Sequence, residues 1–239
     1  MSKIALVTGG TRGIGRCIAE KFVEAGYRVF VTFLRDEQAA ATLMARYSTL
    51  IALQVDGRAT DQIHALRERI CADGIPSVLV NNAGITGDAI FLNGNVNVFH
   101  EVMATNFVST LNYCDTFAPL MASARFGNIV NISSIAATKI KLGNTAYGCA
   151  KAAIERLTLG LALELARFDV NVNGVSPGFV DTEMYKLFAK GVEREILRSI
   201  PARRIMQPDE VANMVFLLAS RQFSTTGTIL KVGNGENIG

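Results

Sequence analysis

The sequence has no tryptophan, only two histidines, and four cysteines spread through 239 residues. His64 and His100 fall at no metal-ligand spacing with each other or with Cys17, Cys71, Cys114 and Cys149, and there is no Cys-x-x-Cys pair. No metal centre is therefore expected, and the cysteines read as reduced thiols. Long apolar runs are also missing: stretches such as residues 157–166 are too short, and too broken by charge, to cross a bilayer. No membrane partner is expected. Charge of one sign is scarce, with 24 basic against 21 acidic residues, and the basic residues form no stripe interleaved with aromatics. Nucleic acid is thus not an expected partner. The Met-Ser-Lys start runs straight into a strand-like segment with no signal-peptide pattern, so the expected compartment is the cytoplasm.

What is present is a chain 49% hydrophobic and 19% charged, a composition that suits a packed core. Short β-rich runs alternate with helical patterns: Lys3 to Thr8, Arg28 to Phe33, Leu50 to Val55, Ser77 to Asn81, Asn128 to Ser133, Val170 to Val175 and Thr228 to Val232. Near-continuous apolar strands joined by helices predict a parallel sheet covered on both faces, because parallel neighbours need helical crossovers. No linker or shift in composition divides the chain and no solenoid-type repeat occurs. The expected architecture is one doubly wound α/β domain over residues 1–239.

The first strand runs into "TGGTRGIG", Thr8 to Gly15, ahead of a helical pattern. Glycines there let the backbone turn sharply and approach a pyrophosphate lying on the helix N-terminus. The spacing is Gly9-x-x-x-Gly13-x-Gly15, not the usual Gly-x-Gly-x-x-Gly. The end of the second strand carries Phe33-Leu34-Arg35, with Asp36 only afterwards, and Arg12 adds a cation to the glycine turn. An acidic residue would hydrogen-bond the ribose 2′-OH of NAD, whereas arginines suit the 2′-phosphate of NADP. NADP(H) is the expected cofactor.

Further along, "NNAG" (Asn81 to Gly84) follows the fourth strand, Asn106 sits in "ATNF", and "ISS" (Ile132 to Ser134) ends the fifth. Then come Tyr147-x-x-x-Lys151 and Pro177-Gly178. Taken alone, a tyrosine and a lysine four apart are an aromatic body and a snorkelling amine on one helix face. In this order and company the motifs resemble those of the short-chain dehydrogenases/reductases over essentially the whole chain. The stretches "ALVTGGTRGIGR", "NNAGITGD", "VNISS" and "VSPGFVDTEM" are most similar to the β-ketoacyl-ACP reductases and acetoacetyl-CoA reductases.

That resemblance implies a single-domain Rossmann fold with a seven-stranded sheet, and Ser134, Tyr147, Lys151 and Asn106 as the catalytic group. It implies cofactor contacts from Gly9, Thr11, Arg12, Gly13, Ile14, Gly15 and Arg35, from Asp56 against the adenine, and from Asn82, Ala83 and Gly84. Tyr147, Lys151, Pro177, Gly178, Val180 and Thr182 would complete them around the nicotinamide. The implied reaction is NADPH-dependent reduction of a 3-oxoacyl thioester, carried by ACP or CoA. A cation beside the phenol would lower its pKa from near ~10 and make Tyr147 the proton donor. A mobile lid within roughly residues 183–206, a carrier-facing role for Arg125 and Arg167, and a homotetramer or homodimer are implied too.

Three stretches depart from that pattern: Gly87, where those reductases commonly carry arginine; the Asn/Gly-rich "NGNVN" of residues 93–97; and a C-terminus reading Lys231-Val-Gly-Asn-Gly-Glu236. They leave a specialised pathway such as polyketide synthesis open beside fatty-acid synthesis. A dehydrogenase for a sugar or steroid, and a non-catalytic NADP-binding regulator, are the other readings.

Overall fold

The computed structural model describes residues 3–93 and 96–236. Among them seven strands form one wholly parallel sheet: β1 (Ile4–Val7), β2 (Arg28–Phe33), β3 (Leu50–Gln54), β4 (Val78–Asn81), β5 (Gly127–Ile132), β6 (Val170–Pro177) and β7 (Ile229–Val232). Their order is β3-β2-β1-β4-β5-β6-β7. The expected fold is thus borne out, with small shifts at the ends. β6 runs two residues past Val175, because Pro177, lacking an N–H, still lies opposite Val232 while Gly178 donates to the Val232 carbonyl at 2.8 Å.

Alternation along each strand feeds two cores. Ala5, Val7, Val29, Val31, Val78 and Val80 face α1 (Gly13–Glu24), α2 (Glu37–Arg46) and α9 (Pro208–Ala219), where Ile18, Phe22, Leu43, Val211 and Val215 are buried. Leu6, Phe30, Leu79 and Ile129 face the other side, against α3 (Thr60–Cys71), α5 (Ser109–Ala124) and α6 (Thr145–Leu165), with Ile63, Tyr113, Phe117, Met121 and Ala162. Burial on both faces is what makes the strands read as continuous apolar runs.

Shorter elements sit over the carboxyl edge. A helix α4 (Val96–Met103) passes through one wide π-type turn, Ala104–Val108, into α5. Beyond β6, α7 (Glu183–Ala189) and α8 (Glu193–Ser199) share a small core of Ala189, Ile196 and Ile200 with Phe179, Tyr185 and Phe188. Of the Asn/Gly-rich stretch, residues 94 and 95 lie outside the described residues. No helix among those described is long and apolar enough to cross a membrane.

Arg125 and Arg167 do not stand at the mouth of this chain's own site. Arg125 caps α5 just before β5 begins and donates to the Arg167 carbonyl at 3.2 Å, and Arg167 follows α6 just before β6. Both are therefore at the amino edge of a parallel sheet, a strand's length from its carboxyl edge.

Candidate active site

The strand order reverses between β1 and β4, and a crevice opens there at the carboxyl edge, where ligands of such sheets bind. The turn from β1 to α1 lines it. Gly9 and Gly13 have φ of +62° and +53°, a left-handed backbone that other residues adopt at a cost. A Cβ on Gly15 would collide with the Gly9 carbonyl and the Asn82 amide. Asn82 pins the turn, donating from Nδ2 to the carbonyls of Thr8 (2.9 Å) and Gly9 (3.1 Å). Thr8 Oγ1 in return accepts the backbone N–H groups of Asn82 (2.9 Å) and Ala83 (3.0 Å). Thr8 had no assigned role in the sequence reading, though it opens the glycine motif.

No side chain caps α1 at Arg12, so its first-turn N–H groups and the positive end of its dipole are left for an anion. Thr11 is buried and Ile14 half-buried in the same turn. Arg12 itself is extended and exposed, 3.5 Å from the Glu183 carboxylate. Next along the edge, Arg35 is exposed and has no hydrogen-bond or ion-pair partner among the described residues. Asp36 is not free to meet a ribose: its carboxylate accepts the Ala39 N–H at 2.9 Å as the N-cap of α2. Asp56, after β3, is gripped by the Arg58 guanidinium (Nη2–Oδ2 2.6 Å), whose hydrogen bonds hold its carboxyl below the usual range. An open helix N-terminus beside left-handed glycines, with free arginine and no free carboxylate at the end of β2, fits a phosphate-bearing dinucleotide.

The turn after β6 closes the crevice. The β-position of Gly13 lies 3.4 Å from Thr182 Cγ2. Thr182 caps α7, accepting the Tyr185 N–H at 3.2 Å, and Val180 bridges in parallel to Met206. Pro177 and Gly178 start this turn beside Ser134, whose Oγ is 3.5 Å from the Pro177 carbonyl and accepts the Ala136 N–H at 3.2 Å.

Tyr147 and Lys151 come from the first two turns of α6. Lys151 is buried, 4% exposed, and its Nζ donates to the Ile132 carbonyl at 2.8 Å, 5.5 Å from the centre of the Tyr147 ring. The ring is half-buried against the cluster of Val102, Ala146 and Ala150. Asn106 is fully buried in the π-type turn, and both ends of its amide are spent on one residue: Oδ1 accepts the Ile85 N–H (2.7 Å) and Nδ2 donates to the Ile85 carbonyl (2.9 Å). It is a strut between α5 and the segment after β4. Gly84 lies at the crossing, where a Cβ would be 3.0 Å from Asn106 Oδ1 and 3.7 Å from Lys151 Nζ.

The electrostatics differ from the expectation of a phenol tuned downwards. Burial pushes the Tyr147 phenol up to about 12; a hydrogen bond with Ser134 works against that, and the charge of Asp88 adds to it. Lys151 instead moves towards neutrality, lowered by burial to about 8. The phenol is thereby kept protonated, and the amine is the group placed to exchange protons near neutral pH. Asp88, whose carboxyl burial raises and Lys141 lowers, was not singled out from sequence, although it lies in the quoted "GITGD". Gly87 beside it has a packing reason: a Cβ there would stand 2.5 Å from Val102 and 2.9 Å from Val98.

A buried ammonium without a carboxylate partner costs stability. Lys151 titrates near 8 in the fold and near 10.5 in the unfolded chain. Between those values the unfolded chain holds more protons, so stability rises with pH, and below about 8 the full cost stands. Lys151→Met is expected to melt higher than the parent at pH 7, by an amount on the order of 3 kcal/mol less the lost bond to Ile132. The gap should close as pH rises from 8 to 10.5 in paired thermal melts. A gap that ignores pH would refute the buried-charge account.

The short chain dehydrogenase family model matches residues 3–192. The chain is 36% identical over 245 residues to the 3-oxoacyl-(acyl-carrier-protein) reductase FabG of Aquifex aeolicus, covering 98% of this chain and 96% of that protein. It is 35% identical over 247 residues to the acetoacetyl-CoA reductase of Shinella zoogloeoides, covering 99% of each. Among solved structures, ElxO with NADP bound superposes with a TM-score of 0.92 at 29% identity, covering 99% of both chains.

Proposed function

The chain belongs to the short-chain dehydrogenase family and is a nicotinamide-dependent oxidoreductase, and on that premise we propose that it reduces a 3-oxoacyl thioester to the 3-hydroxyacyl thioester with NADPH. The observation that carries this reading is the convergence of Ser134, Tyr147 and Lys151 at the end of β5, across the crevice from an open helix N-terminus. Relatives named for 3-oxoacyl and acetoacetyl thioesters support the substrate class.

Ketone reduction needs a hydride at carbon and a proton at oxygen. The bound dihydronicotinamide supplies the hydride; the protein supplies the rest. Ser134 and Tyr147 present two hydroxyls to the substrate oxygen and stabilise the charge that grows there. Tyr147 gives up its proton, a downhill step towards an alkoxide even from a pKa near 12. Lys151 restores that proton, and Asn106 holds the segment after β4 against this helix. Gly9, Thr11, Gly13, Ile14 and Gly15 seat the pyrophosphate, Arg12 and Arg35 meet the 2′-phosphate, and Asp56 and the 82–84 segment flank the adenosine. Pro177, Gly178, Val180 and Thr182 face the nicotinamide.

Residues 183–206 act as a lid. Leu187 projects from it into solvent, and Ile140 and Leu142 do so from the loop before Tyr147, an apolar surface suited to an acyl chain. The assembly is a homotetramer or homodimer built through α5 and α6, where Leu111, Leu159 and Leu163 are exposed in the single chain. The compartment is the cytoplasm.

The test is NADPH oxidation with acetoacetyl-CoA, the acetoacetyl carrier protein, simple ketones, a sugar and a steroid side by side. The thioesters should be turned over best. Turnover of the sugar or steroid with none of either thioester would overturn the substrate class, and tight NADPH binding with no turnover at all would favour a regulator.

A further inference from the structure

The segment after β7 carries a buried carboxylate, Glu236, that the reaction does not use. Glu236 is 2% exposed. Its Oε1 accepts the Phe179 N–H at 3.0 Å and its Oε2 the Asn234 N–H at 2.6 Å. Its backbone carbonyl accepts Lys139 Nζ at 2.9 Å. Arg204 feels the Glu236 charge but spends its hydrogen bonds on both oxygens of Glu210 at 2.8 Å, so the hydrogen bonds to the Glu236 carboxylate come from backbone N–H groups. Carboxylate-to-amide bonds of this kind are short and strong, and burying the charge is tolerated only because they are made.

Those contacts reach three loops at once. Phe179 belongs to the turn after β6, and its carbonyl accepts the Met206 N–H at 3.0 Å. Lys139 belongs to the loop between Ser134 and Tyr147. Asn234 accepts the Ala202 N–H at 3.1 Å and donates to the Arg204 carbonyl at 3.0 Å, fastening the segment that follows α8. Gly178 completes the fit, because any Cβ there would collide with the Glu236 carboxylate. That glycine is required by the tail.

We propose that Glu236 is a positioning residue for the cofactor: its carboxylate holds the 177–182 turn in place as the wall of the nicotinamide pocket. This rests on the reading that the turn faces the nicotinamide. Glutamine has the same shape, but one of its two ends becomes a donor facing an N–H. Glu236→Gln should therefore release one of the two backbone ties and loosen the turn, leaving the glycine turn and Arg35 untouched.

The experiment is titration calorimetry of the full chain with NADPH and, separately, with adenosine 2′,5′-bisphosphate, which occupies only the adenosine end. Glu236→Gln is expected to weaken NADPH about tenfold and the fragment by less than about twofold, as the loss of one charge-assisted bond predicts. Equal weakening of both, or of neither, overturns the proposal. If the parent binds the fragment but gains nothing from the nicotinamide half, the pocket reading fails instead. Should Glu236→Gln not fold, Lys139→Met cuts the part-buried tie to the backbone carbonyl of the same residue, which helps hold its carboxylate in place. A loss confined to NADPH of about two- to threefold is then expected, and its absence counts against the proposal.

Discussion

Tyr147→Phe is expected to lower kcat by roughly 1,000-fold, the middle of the range for removing a positioned proton donor. NADPH affinity should change by less than about twofold. The split follows from where the side chain sits. The ring is packed on the cluster of Val102, Ala146 and Ala150, and phenylalanine keeps all of that. What leaves is one hydroxyl, hydrogen-bonded to Ser134 and held protonated by burial. The glycine turn and the open N-terminus of α1, the proposed anchors for the phosphates, are untouched. Stopped-flow reduction of an acetoacetyl thioester, with cofactor binding followed by fluorescence, separates the two quantities. A variant keeping more than about a tenth of parental kcat would take the proton donor away from Tyr147.

Arg35→Asp is expected to move the preference between NADPH and NADH by on the order of 100-fold or more. One charge-assisted contact to a phosphate is worth about 1.5–3 kcal/mol, or roughly 10- to 150-fold. A carboxylate in its place repels the 2′-phosphate and accepts the 2′-OH of NADH. Arg35 is available for this because nothing among the described residues holds it, whereas Asp36 next door is committed to capping α2. Arg12 softens the effect without cancelling it, since its ion pair with Glu183 joins two exposed side chains and such pairs are worth about 0–1 kcal/mol. The ratio of kcat/KM for the two cofactors is the measurement. A shift smaller than about threefold would mean the 2′-phosphate is read elsewhere.

The sheet was legible because most of its strands are buried on both faces: they show up as near-continuous apolar runs separated by helical patterns. Ser134, Tyr147 and Lys151 were legible for a different reason, since they follow closely on a strand end or helix start, whereas Asn106, inside a continuous helical run, stood out only through the family resemblance. Where Arg125 and Arg167 would lie was not legible, because charge in a sequence carries no address; only the strand direction shows that they end up at the amino edge. The upward shift of Tyr147 was hidden for a similar reason. Spacing shows that a lysine is near, but not that the fold buries both partners. Glu236 stood out only as an oddity of the C-terminus, because its partners lie 57 and 97 positions away in the chain.

The helices and strands bring every candidate reactive group to one edge of the sheet, while the opposite edge carries only short returns into the next strand. That separation has a consequence for how such a chain can change over generations. Drift in residues 88–92, 138–143 and 183–205 reshapes what the crevice admits without entering either of the two cores that flank the sheet, so new substrates can be tried at little risk to folding. The segment after β7 runs against this freedom. Its Glu236 carbonyl holds Lys139 and its Asn234 fastens residues 202 and 204, so a chain that keeps this segment inherits a shared frame for two of those loops, and they vary together or not at all.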